Sequence, residues 1–385
     1  MPGCALGSDE IAERHDCVTE KEADSPFLLH PKWINFQEFS GEAPGQKGEV
    51  NMFVRPRIHP LLWVLLMLCV WREAAAQSSS TPTLTASRPR ISVTDRTSST
   101  LESSFPPSRE VIYKTVRNAK LRMAIFEPAK EKVKGKAPVI VFFFGGDWRV
   151  GRRNQFYPAC AYFAERGFLA CAAEYRTKMV DRDTSPFDCV ADGKSAIRWL
   201  RQHAAEYGGD PDRIVAAGAS AGGHVAACAA LIQGFDDPND NKAFSCVPNA
   251  LILLSAVVDT TSEGQVRQRV GERGQEISPA HHVAEGAPPT ILFHGTEDKV
   301  VPLENVQRFA RLMREAGNVC ELVTAEGQGQ GYFNHPAFWS NLDPKWFDET
   351  MQKAYDFLKK QGIARDLPAG TKAIALPPSP SGKPK

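Results

Sequence analysis

The stretch Gly218-Ala219-Ser220-Ala221-Gly222-Gly223 constrains this chain more than any other, because it joins an apolar, β-prone segment to an apolar helical one. Residues 212–217 (Asp-Arg-Ile-Val-Ala-Ala) precede it, and an apolar run from His224 to Ile232 follows. A G-x-S-x-G sequence in that setting predicts a sharp strand-to-helix turn, with small neighbours that let the chain fold back tightly. Such a turn lifts the Ser220 hydroxyl above a sheet. It also leaves the Ala221 N–H at a helix N-terminus, facing any negative charge that develops there. Taken alone the motif reads as a glycine-rich turn with an ordinary serine; the flanking strand and helix make Ser220 a candidate nucleophile.

Two other strand ends supply what such a serine needs. Residues 138–144 (Pro-Val-Ile-Val-Phe-Phe-Phe) form a continuous apolar run, as a central parallel strand does. It ends in Gly145-Gly146-Asp147-Trp148, where the N–H groups of Gly145, Gly146 and Asp147 are placed to turn into a cleft. Residues 290–294 form a second short strand, followed by Gly295-Thr296-Glu297-Asp298. Alone, Asp298 reads as a cap or a solvated loop charge; placed after the serine and past a strand, it reads as functional.

These residues resemble the α/β-hydrolase fold lipase/esterases with an H-G-G-G-W oxyanion loop, close to carboxylesterases and acetyl-carbohydrate esterases. The resemblance covers about Arg109 to Gly362 and is carried by residues 144–148, 211–214, 218–222 and 295–298. It implies an α/β-hydrolase fold, with a mostly parallel central sheet and helices on both faces. It further implies a serine hydrolase of short acyl esters, acetylated carbohydrate among them, working through an acyl-serine intermediate. By position Ser220 is the nucleophile and Asp298 orients the base. The N–H groups of Gly145, Gly146, Asp147 and Ala221 are the candidates for the oxyanion hole.

The chain departs from that pattern in two places. Phe144 stands where the oxyanion motif begins with histidine, and Asp147 replaces its third glycine. The loop works through backbone N–H groups, so the expectation is an intact hole with the Asp147 carboxylate pointing away. The second departure touches the base. It belongs in the glycine-rich loop Glu326–His335, after the last strand Val319–Thr324, and the matching position is Gln330. An amide has no useful pKa and cannot accept the serine's proton. Three readings follow: His335, the only histidine beyond Asp298, is delivered by a rearranged loop; the protein is a catalytically silent binding protein; or Gln330 positions water in a slow enzyme. A serine peptidase of the same fold is a further alternative. His224 reads as a packing or hydrogen-bonding residue beneath the turn, and His294 and His281-His282 fit the role of base less well.

The intervening chain fits one α/β domain over 109–362. Strands are expected at 110–115, 121–126, 168–173 and 249–256, and helices at 154–166, 186–207, 302–316 and about 349–361. Residues 233–243 and 260–280 are polar insertions. The first carries Asp236, Asp237 and Asp240; its spacing is wrong for a calcium loop, so a solvated loop is expected. No HExxH, paired CxxC or phosphate-binding loop occurs, so no metal and no cofactor are expected.

Ahead of the domain, the uninterrupted apolar run Leu61–Trp71 suits a signal-peptide core, with Arg55 and Arg57 before it and Ala74-Ala75-Ala76 after it. Residues 52–76 are therefore expected to be a signal peptide and 1–51 an upstream extension, with Met52 the translation start. A short membrane anchor is the alternative, and no stable span is expected after cleavage. More than half of residues 77–108 are Ser, Thr or Pro, the composition of a linker, and 363–385 read as a disordered tail. In an oxidising compartment six cysteines (Cys160, Cys171, Cys189, Cys228, Cys246 and Cys320) permit disulfides, although Cys171, Cys228 and Cys320 sit in apolar runs and are expected to be buried thiols. The net charge of +1, from 46 basic and 45 acidic residues, argues against nucleic acid or an anionic membrane as a partner, and a small-molecule ester is the partner the resemblance implies.

Overall fold

Short runs rich in Val, Ile, Leu, Phe and Ala cannot face water on either side, so they pair with one another and hide beneath helices. The computed structural model describes residues 101–128, 133–262 and 264–365. Its strands are β1 (Arg109–Val116), β2 (Ala119–Phe126), β3 (Ala137–Phe143), β4 (Leu169–Ala173), β5 (Gly209–Ala219), β6 (Ala250–Leu254), β7 (Thr290–Gly295) and β8 (Cys320–Ala325). They form one sheet in the order β1-β2-β4-β3-β5-β6-β7-β8. Strand β2 runs antiparallel to β1 and β4, and every other pair is parallel. Every residue of β3, β4, β6 and β7 is buried.

The helices are α1 (Tyr157–Ala164), α2 (Pro186–His203), α3 (Ala221–Leu231), α4 (Gln265–Val270), α5 (Leu303–Glu315) and α6 (Pro344–Lys360). The chain steps one way along the sheet from β3 through α1 to β4, and then back the other way through α2 to β5. Right-handed crossovers in opposite directions put α1 on one face and α2 and α3 on the other. Helix α1 packs with α6, and α2 with α3. Helix α2 starts where its sequence says: Ser185 and Asp188 form a reciprocal capping box, and Pro186 takes the first turn.

Two expectations are corrected. The segment 101–108 is not linker: Leu101 and Phe105 are 1% and 3% exposed and belong to the core. Two apolar residues one helical turn apart are enough to pull this Ser/Pro-rich stretch onto the domain. The 233–243 insertion is exposed over most of its length, as expected, but its acids are not left to water. Asp237 pairs with Lys114 at 2.8 Å, and Arg198 binds Asp236 and Asp240 at 2.7 and 2.9 Å. Lys114 also reaches the fully buried Asp192, which Arg176 holds from its other side at 2.7 Å. The carboxylates are thus consumed by cations of β1 and α2 and of the segment after β4. All six described cysteines are buried free thiols, as expected for Cys171, Cys228 and Cys320, and burial pushes the Cys160, Cys171, Cys189, Cys228, Cys246 and Cys320 thiols up in pKa.

The readings of 1–51 and 52–76, the first part of the linker and the tail from 366 on lie outside the described residues. Among the described residues no helix is long and apolar enough to cross a membrane, and no cluster of three His, Cys, Asp or Glu side chains could hold a metal ion.

Candidate active site

Ser220 stands at the junction of β5 and α3 with φ 50° and ψ −118°, a conformation that costs a non-glycine residue on the order of 1–3 kcal/mol. Neighbours hold it there. Its N–H donates to the Leu254 carbonyl at 3.0 Å, and its own carbonyl accepts from His224 and Val257. The flanking glycines are sterically required. A Cβ at Gly218 would overlap the Gly222 carbonyl, and one at Gly222 would overlap the carbonyl oxygens of Phe143 and Phe144 at the end of β3.

That close approach brings the loop after β3 against the serine: a Cβ on Gly145 would lie 3.5 Å from the Ser220 Cβ. Of the four expected oxyanion donors, Gly145 is corrected, because its N–H is spent on the Gln155 Oε1 at 2.8 Å. The N–H groups of Gly146, Asp147 and Ala221 donate to no group among the described residues. Asp147 and Trp148 adopt left-handed φ values of 59° and 55°, which turn the loop sharply. The Asp147 carboxylate accepts from the Arg269 Nε at 2.6 Å, so it is engaged by the 260–280 insertion, as the expectation that it points away requires. Phe144 fills the usual histidine position with a ring stacked on Tyr175 at 4.3 Å, and the Tyr175 hydroxyl donates to the Phe144 carbonyl.

Trp148 anchors the other end of the loop. Its indole N–H donates to His224 Nδ1 at 3.3 Å, and His224 Nε2 donates to the Ile277 carbonyl at 2.7 Å. Complete burial lowers the His224 pKa to about 4, so the ring is neutral and both nitrogens are satisfied. His224 is therefore the structural residue its position beneath the turn suggests.

At the seat of the base the structure places Gln330. Its Nε2 donates to the Ser220 Oγ at 3.0 Å. A lone pair that a nucleophile needs is thus tied to an amide donor that can take no proton. His335 goes elsewhere. Its ring stands edge-on to Phe105 and Phe347, its Nδ1 accepts from the Ala337 N–H, and burial lowers its pKa to about 4. The relocated base at His335 is corrected accordingly: aromatic packing holds the ring, and Gln330 holds the serine.

Asp298 lies just beyond β7, buried, with Oδ1 accepting from the Val300 and Val301 N–H groups at 2.9 and 3.0 Å. Its Oδ2 is buried and has no hydrogen-bond partner. The His294 Nε2 lies 3.6 Å away but donates instead to the Val301 carbonyl at 2.9 Å. A buried acceptor without a donor is costly and rare in proteins. Here the unpaired oxygen belongs to the acid that, by sequence, should orient a base, and the base position carries an amide.

Two residues that sequence reasoning missed join the halves of the site. Gln155 accepts from the Gly145 N–H and donates through Nε2 to the Asn334 Oδ1 at 2.9 Å; Asn334 Nδ2 donates to the Gly331 carbonyl at 2.7 Å. This amide relay runs from the oxyanion loop to the residue after Gln330. The two side chains are far apart in sequence, and no local pattern marks either.

Residues 123–268 match the BD-FAE family. Over 201 residues the chain is 31% identical to the probable carboxylic ester hydrolase LipM of Mycobacterium tuberculosis, covering 47% of this chain and 46% of that one. It is 31% identical over 169 residues to the endo-1,4-beta-xylanase B of Butyrivibrio fibrisolvens, covering 41% and 26%. The first of these matches spans about half the length of the relative. Among solved structures, the thermophilic esterase Est2 of the planctomycete Thermogutta terrifontis, bound to propionate, is 42% identical with a TM-score of 0.63. That match covers 68% of this chain and 97% of the other.

Proposed function

The chain belongs to the α/β-hydrolase esterase family, and from that premise we propose that it cleaves carboxylic esters of short acyl groups through an acyl-Ser220 intermediate, slowly, because Gln330 occupies the base position. The observation that carries this reading is the strained Ser220 set against three uncommitted N–H groups, those of Gly146, Asp147 and Ala221. Ser220 Oγ attacks the ester carbonyl and the new oxyanion lies on these donors. As the intermediate collapses the alkoxide leaves, and the serine proton passes to it or to water. Water then attacks the acyl carbon, the bond to Ser220 Oγ breaks, and a water proton passes to the serine as the acid leaves. Propionate in the related esterase supports a short acyl group.

Losing the base of a serine triad costs on the order of 10⁶ in turnover, yet leaves on the order of 10³–10⁴ over water from the oxyanion hole and binding. A specific observation favours the second reading, a binding protein without turnover: Gln330 donates to the nucleophile itself. Hydrolysis of p-nitrophenyl butyrate separates the two. Slow turnover is expected in the wild-type domain, loss to the buffer rate in Ser220→Ala, and a rise of at least about 10²-fold in Gln330→His. Wild-type turnover equal to that of Ser220→Ala would leave the binding reading standing.

We further propose export directed by residues 52–76. A secreted protein whose first residue, by mass spectrometry, is Gln77 is the expected result; a retained chain beginning at Met1 would refute it.

A further inference from the structure

Beside the oxyanion loop lies a cavity of about 240 Å³, lined by Asp147, Trp148, Arg149, Lys178, Thr184 and Arg269, with Pro186 and Gln268. Three of these side chains are cationic and one is acidic. Arg269 is already neutralised by Asp147 at 2.6 Å. Arg149 and Lys178 make no ion pair or side-chain hydrogen bond among the described residues. Their backbones are tied together, since the Lys178 N–H donates to the Trp148 carbonyl and the Met179 N–H to the Arg149 carbonyl at 2.9 Å. Both side chains are exposed, so two uncommitted cations stand on the wall of one cavity. A third observation is independent of charge. Thr184 is 1% exposed and lines the same cavity, and its hydroxyl has no hydrogen-bond partner.

We infer that this cavity is an anion subsite, and that the esters the protein takes carry a carboxylate that it receives. The inference rests on the esterase reading of Ser220 and deepens it by naming the substrate class. The cavity adjoins the loop, since Asp147 and Trp148 belong to both, and a substrate long enough to pass the Asp147 side chain reaches Arg149 and Lys178. Arg149 and Lys178 bind the carboxylate, and the Asp147–Arg269 pair keeps the acidic side chain from opposing it. The carboxylate can sit on the acyl part of the ester, as in a dicarboxylic monoester, or on the alcohol part, as in an acetylated uronic acid.

The test measures binding, so that it does not depend on turnover. NMR titrations of Ser220→Ala compare monomethyl glutarate with methyl butyrate, and O-acetyl glucuronic acid with O-acetyl glucose. The expected result is about tenfold tighter binding of the anionic member of at least one pair, an advantage that shrinks as salt rises. The pair showing it identifies which part of the ester carries the charge. The advantage should vanish in Ser220→Ala with Arg149→Gln and Lys178→Gln. No preference in either pair, including no binding of any of the four, overturns the subsite. A preference that survives both substitutions overturns it too. Its fate is distinguishable from that of the esterase reading: Ser220-dependent hydrolysis of neutral esters without an anion preference would remove the subsite alone, and an anion preference without hydrolysis would remove the esterase reading alone.

Discussion

Asp298 binds two backbone N–H groups with one carboxylate oxygen and leaves the other buried and unpaired. In the natural chain that charge has no imidazole to orient, so its chemistry is idle, and it gains a task only if a histidine stands at 330. The two positions are therefore expected to be strongly non-additive. Asp298→Asn, which keeps an acceptor for Val300 and Val301, should change wild-type turnover of a chromogenic ester by no more than about threefold. In a Gln330→His background the same change should cost between about 10² and 10⁴ in kcat, as loss of the orienting acid does in a working triad. Equal effects in both backgrounds would refute the idea that position 330 addresses Asp298. At this scale much of the site was legible. Ser220 and Asp298 each follow an apolar run with turn glycines, and the family resemblance of the last loop points to the amide at 330. His335 was misread because its surroundings, Phe105 and Phe347, come from far along the chain, and no spacing rule announces an aromatic slot.

Glycine is irreplaceable where β5 turns into α3, since at Gly222 the carbonyls closing β3 occupy the space a side chain needs. Gly222→Ala must push two strands apart at their carboxyl ends or displace the turn. The expected outcome is a loss of about 3 kcal/mol in chemical denaturation, with ester hydrolysis falling alongside. A variant with unchanged stability would show the turn to be softer than its contacts imply. Elements of this kind were the most readable part of the chain. Continuous apolar runs gave the strands, and the helix expected from 186 on matches the start of α2. Helix ends were less readable: the expected helices at 154–166 and 186–207 begin or end in tight 3-10 turns, at 153–156 and 204–207. The short helix α4 was missed altogether, because its polar sequence, Gln265-Val-Arg-Gln-Arg-Val270, gains its fold from neighbours such as Asp147 through Arg269.

Across the whole molecule, the order of chemistry along the chain matches the order of strands in the sheet, with the oxyanion loop after β3, the serine after β5 and the acid after β7. This arrangement was open to reading, because each piece falls at a strand's carboxyl end. The pairing of Asp192, Asp236, Asp237 and Asp240 with Lys114, Arg176 and Arg198 was not, since a charge run reads the same in sequence whether water or a guanidinium satisfies it. One feature reaches past the folded chain to the gene. The elbow, the uncommitted N–H donors and the unpaired Asp298 oxygen all persist around an amide. Glutamine and histidine codons differ only at their last base. On the proposed reading of Ser220 and Asp298, the histidine that would complete a triad lies a single nucleotide away, and one base change would separate a slow hydrolase from a fast one.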